Sequence, residues 1–287
     1  MTAIAAPPTT GRPRELRQNP YVQGLLTPRG IVGLVLVGGI ALAGLLAPLL
    51  APASPTAQSA DSLTGLLAAG HPLGTDDLGR DVLSRVLYGI RSDLWIIAAA
   101  VPLGALLGVG LALAATTARV VDTVVQRIFD LIFAFPGLVL ALAVTAIVGP
   151  GAGTVVLVVA LAEIPVFGRQ LRAAILVHRE REYAVAAAVG GASRQRVLVR
   201  HILPNAADPL IVQIAVSLSV AVFIEGGMSY LGVGVVAPAP SLGNILASAV
   251  GHLGDTPSLA LVPLAVVTLL VLGLSLLAEA LNQGVRR

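Results

Sequence analysis

The 287-residue sequence contains no cysteine and no lysine, a single tryptophan, 3% aromatic residues and only 11% charged residues. Without cysteine there is no disulfide framework, thiolate zinc site, iron–sulfur cluster or cysteine nucleophile. Without lysine there is no G-x-x-x-x-G-K-[ST] phosphate loop, so ATP-driven work by this chain needs an ATPase on another polypeptide. Soluble domains average roughly 25% charged residues, and a chain this apolar is neither a soluble globule nor a disordered segment. The four histidines, His71, His178, His201 and His252, form no H-E-x-x-H pair, so an intramembrane metalloprotease has no support. Ser217, Ser219, Ser229 and Ser275 have no histidine beside them in sequence, which leaves a serine hydrolase equally unsupported. What the chain does have is 56% hydrophobic residues, with Ala, Val, Leu and Ile in excess, and 31 glycines. This small-residue mixture lets membrane helices approach closely, and it specifies an all-α integral membrane protein. The net charge of +3 comes from arginines clustered between apolar runs, a pattern that sets membrane orientation and does not suit nucleic acid.

A bilayer core of about 30 Å takes about 20 apolar helical residues. Six runs qualify: 31–50, 94–115, 128–148, 154–176, 210–233 and 259–281. The fourth is interrupted by Glu163 and Pro165 and has Arg169 and Arg172 near its end. Basic loops stay cytoplasmic. Arg12, Arg14, Arg17 and Arg29 precede the first span, Arg119 and Arg127 separate the second from the third, seven arginines from Arg169 to Arg200 surround the connection of the fourth and fifth, and Arg286 and Arg287 end the chain. The opposite face has only Arg80, Arg85 and Arg91, offset by Asp61, Asp76, Asp77, Asp81, Asp93 and Asp255. Both termini are therefore expected in the cytoplasm, with a tail over 1–30, a first span over 31–50, an extracytoplasmic loop over 51–93 and the main membrane domain over 94–287. The thirty-residue polar leader and the 20-residue apolar core are both longer than a signal peptide uses, so the first span reads as retained. No internal repeat and no inverted pair of broken helices points to a secondary transporter.

Two connections can hold structure. In the outer loop Val82, Leu83, Val86 and Leu87 form one apolar helical face, with Asp81 and Arg85 spaced i, i+4 beside it, which predicts a short amphipathic helix lying at the interface. Asp76, Asp77 and Asp81 lack the Gly-turn spacing of an EF-hand, so they read as a capped helix start rather than a cation site. In the inner loop, 178–205, residues 179–189 are strong helix formers. Gly190-Gly191 breaks them with a turn suited to the left-handed conformation, Ser193 caps a second short helix, and Pro204 ends it. The result is a helical elbow facing the cytoplasm.

These residues resemble a family. His71-Pro72-Leu73-Gly74-Thr75-Asp76-Asp77-Leu78-Gly79-Arg80-Asp81 through Gly89, Phe135-Pro136, Arg181-Glu182-Tyr183 through Gly191-Ala192-Ser193 to Arg200-His201-Ile202-Leu203-Pro204-Asn205, and 225–234 are similar, in order and spacing, to the second permease subunit of bacterial ABC importers for dipeptides, oligopeptides and nickel. The resemblance runs from about residue 30 to the C-terminus. It implies a six-helix type I importer permease of MetI-like fold in the bacterial inner membrane, paired with a homologous permease, two cytoplasmic ATPase subunits that bind the ATP, and an extracytoplasmic solute-binding protein. No cofactor of the chain's own is implied. In the family the elbow carries a Glu-Ala-Ala coupling helix that sits in a groove of the ATPase. The matching positions are Val185-Ala186-Ala187, so the glutamate is missing and Glu182 or Glu180 must replace it, unless coupling rests on packing alone. On this reading Glu180, Glu182, Tyr183, Ala186, Ala187, Gly191 and Ser193 form the ATPase-coupling surface, with Ala186 and Ala187 small for close docking.

Ionisable groups inside a bilayer are costly and face the bundle interior. Asp130 and Glu279 are near the cytoplasmic ends, where arginines or water can meet them; Glu163 and Glu225 are deeper. Glu225, with Ser229, and Glu163 are candidates for the translocation pathway, where a carboxylate would attract the amino end of a peptide. The alternative is that these groups tie helices together by hydrogen bonds. With no His or Cys in the spans, peptide is the preferred cargo over nickel. Gly104-x-x-x-Gly108 reads as a helix-packing seam.

Overall fold

In a computed structural model, which describes residues 20–286, the chain is almost wholly helical. Four of the arginines used to orient it, Arg12, Arg14, Arg17 and Arg287, lie outside the described residues, as does the side chain of Arg286. A short helix, α1 (Pro20–Leu25), precedes α2 (Pro28–Leu45). Thr27 caps α2 by accepting from the Gly30 N–H at 3.2 Å, and Pro28 takes the first position, where no N–H is needed. The expected first span over 31–50 is shorter than its apolar run. It stops at Leu45, and a single turn, α3 (Ala47–Leu50), follows. Pro48 cannot supply the N–H that would continue the ladder to Gly44, and its ring opposes that carbonyl.

Helix α4 (Val82–Ala115) has 34 residues, about 51 Å at 1.5 Å per residue, well beyond a hydrocarbon core of about 30 Å. The interfacial amphipathic helix expected near Val82 is the first part of this same helix, which runs through residue 93 without a break. Its apolar face is covered by protein: Val82, Val86 and Ile90 pack against Leu242, Ile245, Ala249, Leu259 and Ala260.

The third span is broken. Helices α5 (Arg119–Phe133) and α6 (Gly137–Val148) meet at 92°, because Pro136 is held extended (φ −56°, ψ 135°) and disfavours helix in the residue before it. The fourth, by contrast, is continuous: α7 (Ala152–Arg179) passes Glu163 and Pro165 without a gap. The elbow comprises α8 (Glu182–Val189), α9 (Arg194–Val197), a π-helical turn over Leu198–Ile202 and α10 (Leu203–Ala206). It leads into α11 (Asp208–Tyr230), α12 (Leu242–Ala249) and the last long helix, α13 (Ser258–Arg286). Among the described residues five helices are long and apolar enough to cross a membrane, six when the bent α5–α6 pair counts as one span.

Backbone proximity holds the bundle. A Cβ added at Gly104 would lie 2.6 Å from Glu163 Cβ and 2.7 Å from the Ala160 carbonyl, and one at Gly108 2.3 Å from the Ile164 carbonyl. The Gly104–Gly108 seam therefore seats α4 directly on α7, with Phe129 of α5 closing over Gly168. Small residues do the same between α2 and α13, where Gly33 meets the Gly273 carbonyl and Leu277. Among these helices lies the main core, which includes Ile97, Ala100, Val101, Val155, Val159, Phe167, Ala221, Val222 and Leu270.

Gly108→Leu should lower the midpoint of thermal unfolding in detergent, since overpacking costs about 1–3 kcal/mol. Gly110→Leu, where a side chain meets nothing within 4 Å, should leave it unchanged. Equal midpoints for the two variants, read by fluorescence-detected size exclusion, would refute the seam.

Candidate functional site

The elbow is built by two local stops. Arg181 is extended (φ −72°, ψ 144°), so the helix expected from 179 begins instead at Glu182. At the other end of α8 the Ala192 N–H donates to the Ala187 carbonyl and the Gly191 N–H to the Ala188 carbonyl, both at 3.1 Å. That Schellman pattern needs a left-handed residue, and Gly191 supplies it with φ +83°. Ser193 then caps α9 by accepting from the Arg196 N–H at 3.3 Å. Pro204 does not end the helical path as expected. It sits in the first turn of α10, and the wider π turn over Leu198–Ile202 absorbs the missing N–H.

The inner side of the elbow, Ala184, Val197, Ile202 and Ala206, is buried against Ala112 of α4 and Leu171 and Ile175 of α7. Ala187 turns toward this cluster, whereas Val185 and Ala186 face outward. The two alanines thus lie on different faces, and only Ala186 of the pair is fully available to a partner. Arg194 ties the elbow to the end of α4 by donating to the Thr116 carbonyl at 3.1 Å, and Tyr183 Oη lies 2.7 Å from His178 Nδ1. Glu180 and Glu182 are exposed, and neither is in an ion pair among the described residues. A groove of about 500 Å³ runs along α8, lined by Arg179, Val185, Ala188, Val189, Arg194 and Leu198 among others. From the far end of the sequence, Tyr21 donates to Asp208 Oδ1 at 2.5 Å at the start of α11, and burial together with that carboxylate pushes its phenol up to about 12.

On the same side, guanidiniums meet the acids near the helix ends. Arg172 grips Asp122 with two bonds of 2.7 Å, Arg169 reaches Asp130 at 2.7 Å while stacking over Phe133, and Arg29 pairs with Glu279. Deeper, Glu163 is 3% exposed and accepts from Ser217 Oγ at 2.5 Å across the α7–α11 contact. Glu225 is 1% exposed and accepts from Ser229 Oγ at 2.7 Å one turn along α11. It also meets Asp93 of α4, whose Oδ2 accepts from the Leu242 N–H at 3.0 Å. Within this chain the geometry of Glu163 and Glu225 is that of helix ties. A groove of about 850 Å³ is lined by neither; Val37, Tyr88, Arg91, Trp95, Ile97 and Leu274 are among its walls.

Asp93, counted by sequence with the outer-loop charges, lies buried on α4. Its sequence signal is the helical period itself: 86, 90, 93, 97, 100 and 104 share the buried face of α4. At the outer end of that helix Asp81 caps it, accepting from the Ser84 N–H at 2.7 Å, and pairs with His71 at 2.8 Å rather than with Arg85. Arg85 reaches Asp76 instead, at 3.4 Å. Asp76 also accepts from Arg80 Nε at 2.7 Å and from the Leu78 and Arg80 N–H groups. Asp76 and Asp81 are therefore consumed in fastening the outer loop to α4, while Asp77 stays exposed beside Arg80.

Similar proteins place this architecture. A putative peptide transport system permease protein of Brucella suis is 35% identical over 98% of this chain and 96% of its own length. A dipeptide transport system permease protein of Alkalihalophilus pseudofirmus is 33% identical over 88% of this chain and 84% of its own. Among solved structures, the MetNI methionine ABC transporter in an inward-facing conformation matches with a TM-score of 0.56 at 19% identity, covering 70% of this chain and 95% of its own, which shows the MetI-like type I importer permease fold. Residues 100–287, which hold every long helix except α2 and the outer part of α4, match one family throughout. The chain belongs to the binding-protein-dependent transport system inner membrane components, the multi-pass permease subunits of ABC importers.

Proposed function

We propose that this chain is half of the translocation pathway of an ATP-driven peptide importer and that its elbow carries ATPase movement into the membrane. The observation that carries the reading is the elbow itself: a short helix of small residues, closed by Gly191 at φ +83°, outside the long spans and packed on the ends of α4 and α7. Peptide as cargo is supported by relatives named as peptide and dipeptide permeases at 33–35% identity. A homologous permease, two ATPase subunits and an extracytoplasmic binding protein complete the assembly. The chain's own work is conformational, since it has no lysine for a phosphate loop.

Both termini and the elbow are assigned to the cytoplasm, a reading supported by the arginine distribution. On this Cys-free background, Ser62→Cys should react with an impermeant maleimide from outside intact cells, and Ser193→Cys only after permeabilisation. The reverse pattern would invert the topology.

Gly191→Val puts a β-branched residue at a left-handed position, which such residues rarely adopt. Ala188→Trp fills the groove beside it. In the reconstituted complex each should cut peptide uptake at least tenfold while leaving insertion and basal ATP hydrolysis in place. Uptake at the wild-type level in both variants would reduce the elbow to a connection.

A further inference from the structure

The groove along α8 carries arginines that no carboxylate reaches at ion-pairing distance among the described residues. Over 178–205 the sequence has five arginines, Arg179, Arg181, Arg194, Arg196 and Arg200, against two glutamates, Glu180 and Glu182. Two of those arginines, Arg179 and Arg194, stand on the walls of one concave surface. Arg194 spends one N–H on the Thr116 carbonyl; Asp122, already gripped by Arg172, acts on Arg179 only at longer range, and neither arginine has a carboxylate within ion-pairing distance among the described residues. Between them the lining is apolar: Ala184, Val197 and Ile202 form a buried floor, and Val185 and Val189 form a rim that is 49% and 84% exposed. Two adjacent guanidiniums repel one another unless an anion lies between them, and half-exposed valines on a short helix lose free energy in water. Both costs are removed by one kind of occupant. It has a carboxylate to place between the arginines, where charge-assisted bonds to guanidinium are short and strong, and apolar side chains to cover Val185 and Val189.

Resting on the docking role proposed above, we infer that this groove receives an ATPase subunit through an acidic residue flanked by apolar ones, so that the permease supplies the cation and the ATPase the anion. Val185 belongs to this arrangement. A glutamate there would stand on the groove wall that also carries Arg179, Arg194 and Val189, and would neutralise the charge that the partner's carboxylate answers. A lipid phosphate could satisfy the arginines, but it would leave the concave apolar floor and the valine rim uncovered by any matching shape.

The lysine-free sequence gives a direct test. In the assembled complex of both permeases and both ATPases, Arg179→Lys keeps the charge and creates the only side-chain amine in this chain. A water-soluble carbodiimide, which joins amines to carboxylates in contact, should then link the variant to an ATPase subunit at an Asp or Glu mapped by mass spectrometry; the unaltered chain should give no link at this site. Arg179→Glu should reduce ATPase co-purification about tenfold, and Arg179→Lys should leave it intact. In parallel, Gln195→Cys, exposed on the elbow outside the groove, carrying a benzophenone maleimide reports docking regardless of charge. A benzophenone link to the ATPase without a carbodiimide link overturns the acidic-partner inference while docking stands. Absence of both links overturns docking and the inference together. A carbodiimide link to the second permease, or undiminished co-purification of Arg179→Glu, also overturns the inference.

Discussion

The crossing of α4 on α7 sets the position of nearly everything else. In lipid no hydrophobic force drives one apolar helix onto another, so association depends on close packing and on polar groups that find partners. Gly104 and Gly108 allow the α4 backbone to lie against the carbonyls of Ala160 and Ile164. From that contact α7 extends to Arg179, where the elbow begins, and α4 extends to Val82, where the outer loop is fastened. The same crossing brings Glu163 within the bundle and beside Ser217 of α11, so the third principal helix is held to this pair by a buried hydrogen bond.

What the sequence made legible was whatever depends on local chemistry or on hydropathy. The long apolar runs, the glycine seam, the capping roles of Asp81 and Ser193 and the left-handed Gly191 each follow from a few neighbouring residues and reappear in the structure. Boundaries were less legible because hydropathy marks where lipid begins, not where a helix ends. Helix α4 continues into the outer region since its apolar face finds α12 there, and α2 stops inside an apolar run since Pro48 ends the ladder. Pro136 broke its span while Pro165 did not, although both interrupt apolar helices. The residues around Pro165 are buried on α4, and packing there compensates the missing bond.

The partners of buried polar groups were the least legible, because they come from elements far apart in sequence. Glu225 and Asp93 are separated in sequence by helices α5, α6 and α7 and the whole of the elbow, yet their side chains meet. Tyr21 and Asp208 are 187 residues apart. Arg85 preferred Asp76 over its i, i+4 neighbour Asp81 since His71 and the α4 cap already occupied that carboxylate. In each case the residue type announced that a partner was needed, and only the tertiary arrangement chose which.

The distribution of these ties has a mechanical consequence. Helices α4 and α7 are joined by backbone proximity, and α7 and α11 by one serine–carboxylate bond, contacts that fail abruptly rather than stretch, because close-packed interiors have little compliance. The α5–α6 pair, by contrast, is joined through three residues bent at 92° and has its outward apolar side largely unpacked against this chain, with Leu131, Phe133, Leu138, Val139 and Leu142 exposed. On the docking role proposed for the elbow, a force entering through Ala184, Val197 and Ile202 would meet the ends of α4 and α7 first, since those residues pack there. Relative motion within the subunit would then fall where the chain is already broken, at Pro136, and where its apolar surface is not covered by this chain.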